Sequence, residues 1–359
     1  MTSAVVSQTE VVSPAITSER LESVDAARFL AIVTVIVIHT HPCGHDYPGQ
    51  IQLSRYYVII DQIFRFAMPF FFALSGYFWG KKLRVGASVP SVSLPMAKRL
   101  ASVLAFWSVI YLLPYNLSTG DYGLLGRLKL CYANLIRLLS KPFLLLTQGT
   151  KIHLWFLIAL LLALGIASVL VHKKRYKLLV SIAVLLYVAG VLTTAYVNSP
   201  VGIHIPVELG AAPFFGTLPF AIGYFISGLK PKTDWFWKGT ALFAVGAALH
   251  LGEAFCLWRW FGTYPNHGHV FGTLIMGVGF VLVSLSGHPC LQNAMLARLG
   301  RLTLGIYAIQ FILVDLFLPL AQWGQSFLWD IVYTSVVAIT SVAAVLLLSR
   351  NNLMRRFVV

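Results

Sequence analysis

The sequence has few charged side chains, and acidic ones are the scarcest of all. Asp, Glu, Lys and Arg make up 11% of the 359 residues, with 12 acidic side chains against 27 basic ones. A soluble domain needs a polar surface, whereas this chain is 58% hydrophobic and has a mean hydropathy of +0.79. The composition therefore excludes an ordinary soluble protein and is typical of a polytopic helical membrane protein.

Cysteines are also too few and too dispersed for a disulfide framework or a cysteine-based metal site. The glycines form no phosphate-binding loop. A zinc site built mainly from histidines is a minor alternative, since such a site needs three or four converging ligands. Its candidate ligands are His39, His41, His45, Asp46, His267 and His269. We therefore expect no metal and no permanently bound cofactor.

Long apolar runs predict an all-α integral membrane bundle of about ten transmembrane helices. The predicted spans lie at about residues 24–40, 56–79, 100–115, 152–171, 178–197, 211–229, 240–258, 270–286, 302–320 and 328–349. Cations alternate with apolar residues over 116–151, which predicts an amphipathic helix at the membrane interface. Residues 1–18 predict a disordered cytoplasmic tail, and residues 19–359 a single transmembrane domain.

The basic residues predict how the bundle is oriented. Lys and Arg cluster in the loops that follow even-numbered spans, and the positive-inside rule places such loops in the cytoplasm. Ten crossings then put both termini on the cytoplasmic side. The same distribution argues against nucleic-acid binding, despite a net charge of +15, and makes membrane lipids the expected surroundings.

The apolar stretch of the first predicted span carries a cation, Arg28, at one end and an imidazole, His39, at the other. Their spacing is about three helical turns, so both project from one face, about 16 Å apart along the axis. Ionisable groups within a span indicate a functional site. An imidazole can take a proton from an attacking hydroxyl, and a cation can bind the phosphates of a donor. The simpler alternative is that Arg28 snorkels to the headgroups while His39 caps the helix.

Several stretches carry, in order, a resemblance to a known family. They are the Arg28 to His39 spacing, Asp61 to Phe78 with Arg65 and Ser75-Gly76, the pair Lys98-Arg99, His153 to Leu157 around Trp155, Pro219 to Phe225, and Gly300 to Tyr307. Over residues 20 to about 320 the chain resembles membrane acyltransferase family 3, polytopic enzymes that O-acylate sugars and polysaccharides. It is similar to the stand-alone members, which lack a C-terminal esterase-like domain.

The resemblance implies an O-acyltransferase of the bacterial inner membrane. Such an enzyme transfers an acyl group, expected to be acetyl, from acetyl-coenzyme A to a sugar hydroxyl. The acceptor is expected to be an exopolysaccharide, a surface glycan or its lipid-linked oligosaccharide precursor. The machinery of polysaccharide synthesis and export is then an expected partner.

The resemblance also implies site residues. Arg28 and His39 would be the essential pair, with His39 acting as general base or transient acyl carrier. Arg65, Ser75 and Trp155 would build the substrate-binding pocket. At residue 310 the resemblance implies a histidine where this chain has Gln310, and an amide cannot shuttle a proton.

Two further substrate-binding candidates, His250 and Glu253, lie one turn apart in span seven. Structural roles remain open for these residues: His250 and Glu253 could neutralise each other, Arg65 could form a helix-stabilising ion pair with Asp61, and Ser75 could simply permit close helix approach. A different function also remains open, that of a secondary transporter or flippase for a lipid-linked sugar or small solute. A transporter predicts internal repeats with broken helices, whereas a scaffold within a polysaccharide synthase complex would not require Arg28 and His39 to share a face.

Overall fold

The computed structural model describes residues 18–42, 54–113, 124–205, 211–263, 268–324 and 326–358, where all regular secondary structure is helical. The first half holds α1 Ser18–Thr40, α2 Ser54–Phe64, α3 Ala67–Arg84, α4 Val89–Ile110, α5 Leu124–Leu139, α6 Pro142–Gln148, α7 Trp155–His172 and α8 Tyr176–Thr193. The second half holds α9 Ala212–Phe215, α10 Thr217–Ile226, α11 Trp235–Phe261, α12 Phe271–Leu285, α13 Ala294–Gly300, α14 Thr303–Leu316, α15 Leu318–Trp323, α16 Phe327–Leu348 and α17 Asn352–Val358. The all-α class is confirmed. The predicted tail lies outside the described residues apart from Ser18, where α1 begins.

Many of these helices have the length and composition of membrane spans. Six segments of the described chain qualify individually: Glu22–Thr40, Tyr57–Arg84, Ile152–His172, Tyr176–Thr193, Trp235–Phe261 and Phe327–Leu348. The pair α13 and α14 qualifies jointly and is bent by 68°. Shorter apolar helices lie at Ala212–Ile226 and Phe271–Leu285. Each of the ten predicted spans therefore coincides with a helix or a broken pair, while ten crossings stay a prediction.

The second predicted span is broken near its middle, which the sequence reading did not foresee. α2 ends at Phe64 and α3 begins at Ala67, so Arg65 lies in the break. Pro69 explains this break, because its ring collides with the carbonyl four residues earlier in a continuous helix and it has no N–H to donate. The carbonyl in question is that of Arg65.

Two boundaries in the next part of the chain differ from prediction. α4 begins at Val89, because Ser88 caps it with a hydroxyl that accepts the Ser91 N–H at 3.3 Å. The basic pair Lys98-Arg99 therefore lies within this helix and not before it. The predicted interfacial helix is two helices, α5 and α6, since Pro142 starts a new helix.

The centre of the bundle is α1, which packs against α2, α3, α12, α13, α14 and α16. Small residues make this possible, because Ala27 and Ala31 are fully buried and let neighbouring backbones approach closely. The same helix carries both Arg28 and His39. Their surroundings are thus set by most of the bundle.

Two further helix pairs pack through glycine. α3 lies along α10, and α11 lies along α12. A Cβ added to Gly76 would collide with the backbone of Phe220, and one added to Gly223 would collide with the backbone of Ala73. Gly76 therefore permits the close approach of α3 and α10, which is the structural role considered for the Ser75-Gly76 pair.

Aromatic side chains lie at both ends of α11. Trp237 is 69% exposed near the start of the helix, and Trp260 is 69% exposed near its end. Tryptophan is enriched at the two membrane–water interfaces, where its amphipathic ring reaches the headgroups. Their placement is what this enrichment predicts for a helix that crosses the membrane.

We expect the α3–α10 contact to tolerate no side chain at its glycines. Gly223→Ala should lower the free energy of unfolding by about 1–3 kcal/mol, the usual cost of overpacking, read as a lower thermal midpoint in detergent. Gly165→Ala is the control, since a Cβ at that position in α7 meets nothing within 4 Å. Equal midpoints for the two variants would contradict the packing argument.

Candidate active site

A cavity of about 250 Å³ opens beside the end of α1 that carries His39. Its polar or aromatic lining residues come from α1, the junction of α2 and α3, the end of α6, the start of α7 and the turn before it, the loop before α12, and α14: His39, Phe64, Arg65, Gln148, His153, Trp155, His269 and Tyr307. Three of the residues proposed from the sequence, His39, Arg65 and Trp155, therefore meet at one cavity. No carboxylate lines it within the described part of the chain.

The imidazole of His39 faces α14. Its ring lies 4.4 Å from the Phe311 ring, measured between centroids, and Gln310 lies beside it. Its Nδ1 is enclosed and makes no hydrogen bond of normal geometry among the described residues, and the same holds for Oε1 of the fully buried Gln310. The ring therefore has little support from the described residues other than Phe311 and the Gln310 amide.

Arg65 is held at the cavity wall by Asp61. Its Nε and Nη2 donate to the same Asp61 oxygen, Oδ2, at 3.1 and 2.9 Å. Asp61 is only 3% exposed, so the guanidinium is neutralised by a buried partner one helical turn away. The ion pair expected from the i,i+4 spacing is present, and it leaves Arg65 at the cavity.

Aromatic rings form another wall of the cavity. The His269 ring stacks on Phe215 at 4.1 Å with an interplanar angle of 10°, and Trp155 meets it edge-on at 5.4 Å. Burial, followed by the Arg65 charge, lowers the pKa of His269 to about 3. His269 is therefore neutral near pH 7, and this wall suits stacking against an uncharged ring.

The sequence reading did not select His153 or Tyr307, although both lie within stretches that carry the family resemblance. His153 is 3% exposed, stacks on Phe311 at 4.6 Å and lacks hydrogen bonds of normal geometry at both ring nitrogens within the described residues. The Tyr307 hydroxyl donates to the His153 carbonyl. Phe311 thus contacts the imidazole rings of His39 and His153, and both of these histidines line the cavity.

Arg28 does not line this cavity. Its Nη1 donates to Asp25 at 2.8 Å, and its guanidinium lies 5.1 Å from the centre of the Phe78 ring. The charge of Arg99 acts on it from α4. Arg28 therefore lies about three helical turns before His39 along α1, in a separate group of charges.

The other three candidates also lie away from the cavity. The Ser75 hydroxyl donates to the Phe71 carbonyl at 2.8 Å, which is an internal helix contact. His250 bonds Gln62 and Thr273, whereas Glu253 accepts from the Tyr196 hydroxyl and from the backbone N–H groups of Phe271 and Gly272. His250 and Glu253 thus serve different partners.

The described residues do not support the zinc site considered from the sequence. Among them, no group of three His, Cys, Asp or Glu side chains could hold an ion. His45, Asp46 and His267 lie outside the described residues. His41 is placed next to Tyr57, whose hydroxyl is 3.3 Å from its Nδ1.

Comparison with known proteins identifies the chain. Residues 21–350 match the model of a family described as an acyltransferase domain. The chain belongs to membrane acyltransferase family 3. The matched part of the chain is therefore an acyltransferase domain, and the cavity with His39 at its wall is the candidate active site.

The curated relatives of this acyltransferase cover only part of it. Two proteins of Enterococcus faecalis named amino-acid racemase are 28% identical over 173 residues and 26% identical over 180 residues. A serine/alanine racemase of Enterococcus gallinarum is 31% identical over 173 residues. The matches cover 48%, 50% and 47% of this chain but 22% of each relative, so the chain spans about a fifth of those longer proteins. No solved structure matches the chain.

Glu253 should contribute to stability through the start of α12. Its carboxylate accepts the Gly272 N–H at 2.7 Å and the Phe271 N–H at 3.2 Å. Glu253→Ala leaves those donors without their acceptor, so we expect a loss of about 1–3 kcal/mol in the free energy of unfolding, measured as a lower thermal midpoint in detergent. Asp234→Ala on the same helix is the control, because its pair with Lys238 is exposed. An unchanged midpoint for Glu253→Ala would refute this role.

Proposed function

We propose that this acyltransferase moves an acyl group, expected to be acetyl, from acetyl-coenzyme A to a sugar hydroxyl. The acceptor is an exopolysaccharide, a surface glycan or its lipid-linked oligosaccharide precursor. The observation that carries the proposal is the single cavity shared by His39, Arg65 and Trp155. It joins a proton acceptor, a cation and an aromatic surface, the three kinds of group that such a transfer uses.

The reaction needs a base at the acceptor hydroxyl. In the general-base route, His39 takes the hydroxyl proton while the oxygen bonds the thioester carbonyl carbon, the carbon–sulfur bond breaks, and the coenzyme A thiolate takes the proton back. In the alternative route, an imidazole nitrogen of His39 bonds the thioester carbonyl carbon, the carbon–sulfur bond breaks, and the coenzyme A thiolate leaves. The acceptor oxygen then bonds the acyl carbon, the bond between the acyl group and His39 breaks, and the hydroxyl proton passes to the thiolate. The position of His39 in the cavity lining supports both routes.

The donor reaches this centre from the cytoplasmic end of α1. Arg28 anchors the anionic part of coenzyme A, because guanidinium groups bind phosphates through paired hydrogen bonds. Arg99 acts on Arg28 electrostatically, and Lys81, Lys82 and Arg84 lie in the last turn of α3. This concentration of cations supports an anionic donor at that end, about three helical turns from His39.

The acceptor occupies the cavity at the other end. The aromatic rings of Trp155 and His269, which meet edge-on at the cavity wall, suit the apolar face of a sugar ring. The absence of a carboxylate from the described lining favours a neutral or anionic acceptor over a cationic one. The setting we propose is the bacterial inner membrane, with ten crossings, cytoplasmic termini and polysaccharide synthesis and export machinery nearby.

The decisive variant is His39→Ala. Loss of a general base typically costs about 10²–10⁴ in rate, so we expect transfer of radiolabelled acetyl from acetyl-coenzyme A to endogenous glycans in isolated membranes to fall to background. His172→Ala, which changes an exposed histidine at the end of α7, is the control and should retain activity. Full transfer by His39→Ala at equal membrane abundance would remove the catalytic assignment.

A transporter remains the second candidate, because the break at Arg65 and the 68° bend between α13 and α14 resemble the discontinuous helices of transporters. The same membranes distinguish the two functions. An acyltransferase still labels the glycan when the vesicles are made leaky, because the transfer needs no sealed compartment. A transporter instead gives no label in the glycan and shows solute or lipid-linked sugar movement only across sealed vesicles.

A further inference from the structure

We propose that His250 is a positioning residue for Arg65, acting through Gln62 and Asp61. A continuous chain of hydrogen bonds joins the interior of the α11–α12 pair to the cation at the cavity wall. The inference rests on the proposed function in one respect, that Arg65 helps to bind the ligand. His250 itself does not line the cavity, so its effect on a ligand is indirect.

The chain converges on one carboxylate oxygen. Asp61 Oδ2 accepts from Arg65 Nε at 3.1 Å, from Arg65 Nη2 at 2.9 Å and from Gln62 Nε2 at 2.9 Å. Gln62 thus offers its amide N–H to Asp61. Its carbonyl oxygen is then the group that faces His250, at 2.9 Å from Nε2.

That arrangement fixes the direction of every bond. Because the Gln62 oxygen can only accept, His250 must carry its proton on Nε2. Its Nδ1 is then an acceptor, 2.8 Å from the Thr273 hydroxyl. The Thr273 oxygen in turn accepts the Val270 N–H at 2.9 Å, which leaves its hydroxyl proton for His250. The neutral Nε2–H form of His250 satisfies all these bonds and accepts the Thr273 hydroxyl proton, which a doubly protonated ring would leave without an acceptor among the described residues.

Water cannot substitute for a missing link. Asp61 is 3% exposed, Gln62 1%, and both His250 and Thr273 0%. Each buried polar atom that loses its partner stays unsatisfied, so the loss of one hydrogen bond in this chain weakens the others. The backbone under His250 is also fixed, because Gly272 of α12 packs so closely that a Cβ there would collide with the His250 backbone.

Arg65 needs such support because it lies in the break between α2 and α3. A guanidinium at a helix break, paired with one flexible carboxylate, could adopt several geometries. Gln62 holds Asp61 in place, and Asp61 in turn binds the Nε–Nη2 edge of the Arg65 guanidinium. The third nitrogen, Nη1, therefore points away from Asp61. A Cβ on Gly268, which also lines the cavity, would lie 3.6 Å from Arg65 Nη1. The chain therefore turns the remaining edge of Arg65 toward the cavity.

Two measurements that need no substrate test this inference. The first is histidine ¹⁵N NMR of the purified protein in nanodiscs, with the His250 signal assigned by its loss in His250→Asn. We expect the Nε2–H tautomer in the wild type. The Nδ1–H tautomer, or a charged ring near pH 7, would overturn the proposed chain.

The second measurement is the rate at which phenylglyoxal, an arginine reagent, modifies Arg65, followed by mass spectrometry. His250→Leu and Gln62→Met should each change that rate about two- to tenfold, the equivalent of one net hydrogen bond. His250→Gln, which keeps an N–H donor for Gln62, should restore the wild-type rate, as should the remote control Asp234→Asn. Two correctly folded variants, His250→Leu and Gln62→Met, that both retain the wild-type rate would refute the positioning role.

These results stay separate from the outcome of the acyl-transfer assay. If Arg65 reactivity responds to His250 but no glycan is labelled, the positioning chain stands and the proposed reaction fails. If glycan labelling depends on His39 but the reactivity of Arg65 does not change with His250, the proposed reaction stands and the positioning chain fails.

Discussion

The buried pair of Asp61 and Arg65 is the interaction on which the site depends. A guanidinium inside a membrane-spanning bundle is costly unless an anion and further hydrogen bonds compensate for its lost hydration. Here Pro69 breaks the helix and Asp61 supplies the anion one turn earlier. The α11–α12 pair is bonded to Asp61 through Gln62. Two helices that do not line the cavity are thus joined by hydrogen bonds to the cation at its wall.

The first helix separates the two chemical tasks along its length. Arg28 lies with Asp25, Phe78 and the charge of Arg99 at one end, and His39 lies against Phe311 at the other. A rigid helix with buried alanines at its centre keeps the distance between these groups constant. A donor whose anionic portion is held at the first end must therefore be extended for its reactive portion to reach the second.

The apolar runs in the sequence predicted the helices well, because a membrane span must satisfy its own backbone and so leaves a clear signal. The apolar residues between Arg28 and His39 likewise predicted their helix. What composition did not reveal was the break at Arg65, the early start of α4 after Ser88, and the separation of His250 from Glu253. The first two depend on local signals, a single proline and a cap, that do not alter an apolar run, whereas the third depends on hydrogen bonds between residues far apart in the chain. His153 and Tyr307 were missed, and His269 was named only as a candidate metal ligand, because only packing brings these residues to one cavity.

The tryptophans at the ends of α11 have a mechanical consequence. Trp237 and Trp260 are 23 residues apart, which corresponds to about 35 Å of helix, slightly more than the roughly 30 Å of a hydrocarbon core. Both rings can therefore lie in the interfacial regions, since the bilayer including those regions is about 40–45 Å thick, and a thinner bilayer is accommodated by tilting the helix. Since this helix also carries His250, we expect such a tilt to move the scaffold behind Arg65.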